Sequence, residues 1–173
     1  MAGSLVLIQE TTVSSPVSSV SLIGTNSSEF DVYFVQVIGV EMSSQVDMTI
    51  RFTVSGTADS SSNYDSASKR LKASGSFSNI SATNQAQIDL SVALGSNEQG
   101  YFNIYIFNAN NSSEFTFCTL ESVNTSDGSA LVQGDMGGGV LTVTQATDGI
   151  QFFDNGGSAN ISGGTFKLYG LVK

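Results

Sequence analysis

The chain has 173 residues and a net charge of −9, from 15 acidic and 6 basic side chains, with no histidine, no tryptophan and one cysteine. That balance leaves no basic footprint for neutralising nucleic-acid phosphates. It also rules out zinc sites built from Cys and His, and an internal disulfide. Charged residues are only 12% of the chain, so hydroxyls, amides and glycine carry its solubility, as in β-rich proteins.

The N-terminal stretch MAGSLVLIQETT has no basic leader and only a short apolar run, Leu5 to Ile8. It is not read as a secretory signal. No stretch approaches the length of a membrane helix. The expectation is a chain made in a cytoplasm and not exported, with no membrane partner.

Period-two alternation dominates the elements that follow. Strands are expected at Leu5 to Gln9, at Val17 to Ile23 and at Phe30 to Val40. In QVDMTIRFTVSG, Val46, Met48, Ile50, Phe52 and Val54 point inward; Asp47, Thr49, Arg51, Thr53 and Ser55 point outward. The next strand is expected at Leu71 to Phe77. In AQIDLSVAL, Ile88, Leu90, Val92 and Leu94 point in, against Gln87, Asp89 and Ser91.

Further strands are Tyr101 to Asn108, Phe115 to Val123, Ala130 to Gln133, Val140 to Thr144, Ile150 to Phe153 and Thr165 to Val172. In the last, Phe166, Leu168, Gly170 and Val172 share one face; Thr165, Lys167, Tyr169 and Leu171 share the other. Ile161 to Gly164 reads as a loop before it. NYDSASKRL is the best helix candidate, and it lacks an apolar stripe. Turn-forming segments such as GTNSSE, GSNEQG, NTSDGS, GDMGGG and DNGGSANISGG separate the elements.

Strands of this length and spacing predict an all-β fold, a single antiparallel β-sandwich of about ten strands over residues 1–173. Two segments, FDVYFVQVIGV and YFNIYIFN, are apolar on both faces. Such strands are central, or their outer face meets another chain. Both ends of the chain read as strands, so a compact module is expected.

Little in the sequence points to catalysis, and no enzyme activity is assigned. Cys118, in EFTFCTL, is read as a small buried hydrophobe, since a thiol nucleophile wants a histidine base. The late glycines lack the lysine-hydroxyl signature of a phosphate loop.

Calcium would need oxygen ligands from flexible loops. Asp59, Asn63 and Asp65 in one loop, Asp154 and Asn155 in another, and Asp135 are the candidates. Their commoner role is turn formation, so no metal or cofactor is assigned. Tyr101 and Tyr105 share a face and could stack on a sugar; cross-strand packing is the simpler reading. The basic cluster KRLK, Lys69 to Lys72, is read as a solvated strand face or a local partner contact.

Several segments carry a resemblance. SSPVSSVSLIG, EFDVYFVQVIGV, RFTVSGTADSSSNYDSA and the closing ATDGIQFFDNGGSANISGGTFKLYGLVK together resemble small virion proteins of tailed bacteriophages, especially podoviruses of marine bacteria. Gln151 stands where that pattern has a basic residue, and Gly56-Thr57-Ala58 replaces its Asp-Gly turn.

The resemblance implies a jelly-roll-like sandwich in the virion, assembled in the host cytoplasm. It implies a non-enzymatic structural role, as a capsid decoration or knob protein. The alternative is a tail-fibre or appendage module that binds a host glycan. Partners would be major capsid or appendage proteins and further copies of the chain, with a trimer as one form. Interface residues are sought near KRLK and on the YFNIY strand.

Overall fold

The computed structural model describes residues 4–94, 98–125 and 131–172, with the side chains of 91–93 left aside. The expectations for Val92 and Ser91, for a strand start at Ala130, and for parts of the GSNEQG and NTSDGS turns lie outside the described residues.

Among the described residues the chain forms thirteen strands and no helix. They are β1 Leu5–Val13, β2 Ser19–Ile23, β3 Phe30–Met42, β4 Val46–Val54, β5 Thr57–Ala58, β6 Tyr64–Lys72 and β7 Phe77–Gln85. Then come β8 Ile88–Leu94, β9 Gly100–Phe107, β10 Thr116–Thr125, β11 Val132–Leu141, β12 Gly149–Asp154 and β13 Ile161–Val172.

Two antiparallel sheets result. The long one has eight strands in the order β1-β13-β3-β9-β10-β11-β6-β7. The short one has the order β2-β12-β4-β5, with β8 also paired to β4. The pairing is nested: β1 with β13, β2 with β12, β3 with β9, and β4 with β8. The chain is therefore a folded ribbon whose successive antiparallel pairs alternate between sheets. β6, β7, β10 and β11 widen the long sheet at one side.

Alternation decides which face each strand buries. Val35, Val37, Phe102, Ile104, Ile106, Leu120 and Leu168 line the inner face of the long sheet, facing Leu22, Ile50, Phe52, Leu90, Ile150 and Phe152 of the short one. Phe152 of β12 meets Phe166 of β13 across the gap, ring centroids 5.2 Å apart. Each such fully buried side chain contributes roughly 1.5–3 kcal/mol. The result is a two-layer sandwich around one continuous apolar cluster.

Four expectations are corrected. NYDSASKRL is no helix; Tyr64 to Leu71 lie within β6, held between β11 and β7 by ladders on both sides. A strand at Leu71 to Phe77 is overturned, because the Gly75 N–H bonds the Lys72 carbonyl and the chain reverses there. Leu71 and Phe77 become direct partners across the resulting hairpin. GDMGGG is no turn, since β11 runs unbroken from Val132 to Leu141 through its glycines. Ile161 to Gly164 belongs to β13 as an irregular, bulged start. Gly164 there has φ +119, and a Cβ would lie 2.8 Å from the Val40 Cα, so the bulge demands glycine.

Two threonines and Gln87 expected on a wet face are buried. The Thr49 hydroxyl donates to the Phe153 carbonyl at 3.1 Å, and the Thr53 hydroxyl donates to the Asp148 carboxylate at 2.6 Å. On β13, Phe166, Leu168 and Gly170 are buried as expected, while Val172 is exposed.

Candidate interaction surface

The outer face of the long sheet carries exposed aromatic and aliphatic side chains on either side of a polar row. Three rows of side chains cross it, and the register places each one. The first runs Leu7, Tyr169, Phe34, Tyr105, Thr119, Gly138, Ala67 and Ser81 across all eight strands. Its centre is aromatic: Phe34 packs on Tyr105 at 4.9 Å and on Tyr169 at 6.0 Å between centroids. The second runs Glu10, Lys167, Gln36, Asn103, Glu121, Met136, Lys69 and Asn79. Lys167 and Glu10 pair within it at 3.3 Å.

The third row is Tyr101, Val123, Gly134, Leu71 and Phe77, with Val123 falling beside Gly134 in the register that joins Glu121 to Met136 and Asn124 to Gln133. Its four large side chains are 39–63% exposed, and Met136 beside them is 52% exposed. Glycine at 134 has no side chain to fill the middle, so a groove of about 540 Å³ opens there. Leu71, Tyr101, Asn103, Glu121, Val123 and Met136 line it. Exposed apolar side chains gathered round a groove mark an interaction site more often than the same residues scattered singly.

The basic cluster is split by alternation. Lys69 and Leu71 point outward, Lys69 over the Phe77 ring at 5.9 Å. Arg70 points inward and meets the fully buried Asp135 at 3.2 Å. Burial pushes the Asp135 carboxyl up to about 6, against the opposing pull of the Arg70 guanidinium. Lys69 and Leu71 of KRLK are therefore surface residues, and Arg70 belongs to an interior ion pair.

The acidic candidates for calcium are not brought together. Asp154 accepts from the N–H groups of Gly156, Ser158 and Ala159 and from the Ser158 hydroxyl. Burial alone would raise its carboxyl; those donors outweigh it and hold it below the usual range. Asp59 accepts from the Ser61 N–H at 2.8 Å and the Gln145 amide at 2.7 Å. Burial again acts upward on Asp59 and is outweighed, here by Ser61, Gln145 and the charge of Arg51. Asp65 accepts from the Asn84 N–H, and Asp135 is spent on Arg70. Among the described residues no three acidic or thiol groups converge on a point that could hold a metal.

Cys118 is buried in the core, and burial pushes its thiol up to about 12, opposed by a bond from the Gly139 N–H. Tyr101 and Tyr105 do share the outer face, with Asn103 between them. The YFNIY strand thus lies at the centre of the apolar surface. What sequence reasoning missed is the opposite wall, Val123, Val132 and Met136. Alternation along EFTFCTLESV and LVQGDM carries that signal, masked by glycines that read as a turn.

The fold defines the class: an all-β protein of two stacked antiparallel sheets. No protein-family model, curated protein or solved structure matches the chain.

Proposed function

We propose that the chain is a non-enzymatic structural protein of a bacteriophage virion, a capsid decoration or knob protein that docks through the outer face of its long sheet. The observation that carries this reading is the nested pairing of β1 with β13, β2 with β12, β3 with β9 and β4 with β8. Pairs that alternate between two sheets support the jelly-roll form we assign to the chain, an architecture recurrent in viral capsid and lectin domains. Fold alone does not assign a role. The exposed aromatic and aliphatic rows on one face, with both apolar-on-both-faces strands at their centre, support protein docking. The resemblance of four sequence segments to phage virion proteins supplies the setting.

Size-exclusion chromatography with light scattering, with and without capsids of the encoding phage, tests it. Co-elution at a fixed stoichiometry is the expected result. A chain that never associates with the particle overturns the reading.

One observation favours a second reading, a host-glycan-binding appendage module. The groove sets Tyr101 beside Asn103 and Glu121, an aromatic plane next to groups that bond hydroxyls. Glycan-array binding lost in Tyr101→Ala would move the assignment there.

A further inference from the structure

We propose that the β11 side of the outer face is a two-fold contact between two copies of this chain, a reading that rests on the docking role given to that face. The argument lies in the order of side chains outward from β11. Beside Gly134 stand Val123 on β10 and Leu71 on β6, and beyond them Tyr101 on β9 and Phe77 on β7. Beside Met136 stand Glu121 on β10 and Lys69 on β6, then Asn103 and Asn79. Both rows are palindromic in chemical character, with the charges opposite in sign.

A two-fold axis running along β11 in the plane of contact carries β10 of one copy onto β6 of the other. Val123 then meets the other copy's Leu71, Tyr101 meets its Phe77, and Asn103 meets its Asn79. Glu121 meets Lys69 twice. Met136 packs on its own counterpart at the axis, where a flexible thioether suits a self-contact. In the next row Thr119 faces Ala67 and Tyr105 faces Ser81.

Axes along the neighbouring strands give no such match. One along β10 sets Gln36 against Lys69; one along β6 sets Lys69 against its own counterpart and Met136 against Asn79. The match fades only at Val140, where Phe117 would face Asp65.

Charge and area point the same way. Neither Glu121 nor Lys69 has an ion-pair partner among the described residues. Five strands spaced ~4.8 Å apart, over the ~20 Å that the three matched rows span, present roughly 500 Å² per copy. The total, about 1,000 Å², lies at the lower limit of a specific interface.

Sedimentation velocity on the full chain across about 1–100 μM tests the contact, with circular dichroism as a folding control at these exposed positions. The expected result is a dimer whose Kd rises at least about tenfold in Lys69→Glu and in Glu121→Lys. The double variant K69E/E121K, which restores opposite charges, should return most of that loss. M136D should be monomeric. A wild-type chain that stays monomeric throughout, or a dimer that the charge reversals leave unchanged, overturns the proposal. So does a double variant no better than the singles. A monomeric chain that still co-elutes with capsids overturns the two-fold contact and leaves the virion reading standing.

Discussion

Arg70 Nε lies 3.2 Å from one carboxylate oxygen of Asp135 and 3.3 Å from the other, and Asp135 is fully buried between the sheets. One guanidinium nitrogen serves both oxygens, so the pair lacks the two parallel bonds of the strongest Arg–carboxylate geometry. Burial therefore dominates, and the carboxyl sits at about 6. A carboxyl whose folded pKa lies above its unfolded value stabilises the fold where it is protonated. That contribution is complete below about pH 4 and is lost as the pH rises through 6, a change on the order of 2–3 kcal/mol. Asp89, which burial also raises, acts in the same direction. The difference in melting temperature between wild type and Asp135→Asn, followed from pH 4 to 7.5, should shift in favour of the variant between about pH 4 and 6 and then level off. A flat difference would show that Asp135 titrates normally.

Removing the cation separates charge from packing. Arg70→Met removes the cation that favours the ionised carboxyl; at pH 7.5 Asp135 must then stay charged without a partner or take up a proton, and with the folded carboxyl at about 6 the loss is about 2 kcal/mol. At pH 4.5 the carboxyl is protonated and the cost should fall by more than half. Urea denaturation at the two pH values reads this directly; equal costs would mean that the pair acts only through shape.

Asp154 works in the opposite sense. Its carboxylate organises the loop from Gly156 to Ala159 through four donors. Asp154→Ala should cost about 2–4 kcal/mol, since charge-assisted bonds exceed neutral ones. Because its folded pKa is depressed, that contribution is present above about pH 4 and disappears only as the pH falls through the lower folded value. The gap between wild type and variant in urea should thus be constant from pH 5 to 8 and shrink below pH 4.

Gly138 tests the strand assignment of the glycine run. A Cβ there would lie 2.2 Å from the Cys118 carbonyl oxygen of the adjoining strand, and backbone cannot step aside. Gly138→Ala should destabilise by roughly 1–3 kcal/mol, a loss read as an earlier urea midpoint. A neutral outcome would place GDMGGG in an open turn after all.

Cys118 gives the simplest check on the core. A thiol held at about 12 and shielded from solvent has almost no thiolate at pH 8. Ellman's reagent should leave it unmodified in the native protein and label it fully in denaturant. Rapid native labelling would expose that part of the sandwich.

Much of the architecture was readable because alternation is a local property. The inward sets on β4, β9 and β13 follow from the order of residues alone, as does the shared face of Tyr101 and Tyr105. β6 and β11 were not readable in this way. Ser66, Ser68 and three consecutive glycines carry no apolar rhythm, and these segments are strands because β10 and β7 bracket them with hydrogen bonds. The burial of Thr49 and Thr53 likewise depends on Phe153 and Asp148, residues about a hundred positions away. The outer surface was half legible for the same reason. Its aromatic half lies on strands with clear patterning; its Met136 half lies on the glycine strand.

The pairing of β1 with β13 sets Leu5 beside Leu171. At ribosomal speeds of ~5–20 residues per second, the first strand waits on the order of 10–30 s for that neighbour. Until then Leu5, Val6 and Leu7 line an unpaired edge, open to any passing chain. Each outer pair of the nest closes a longer loop than the one inside it, so β4 with β8 can zip early while β1 with β13 closes last. Maturation of this domain is thus paced from the inside of the ribbon outward, and β1 is the strand most open to misassembly while it waits.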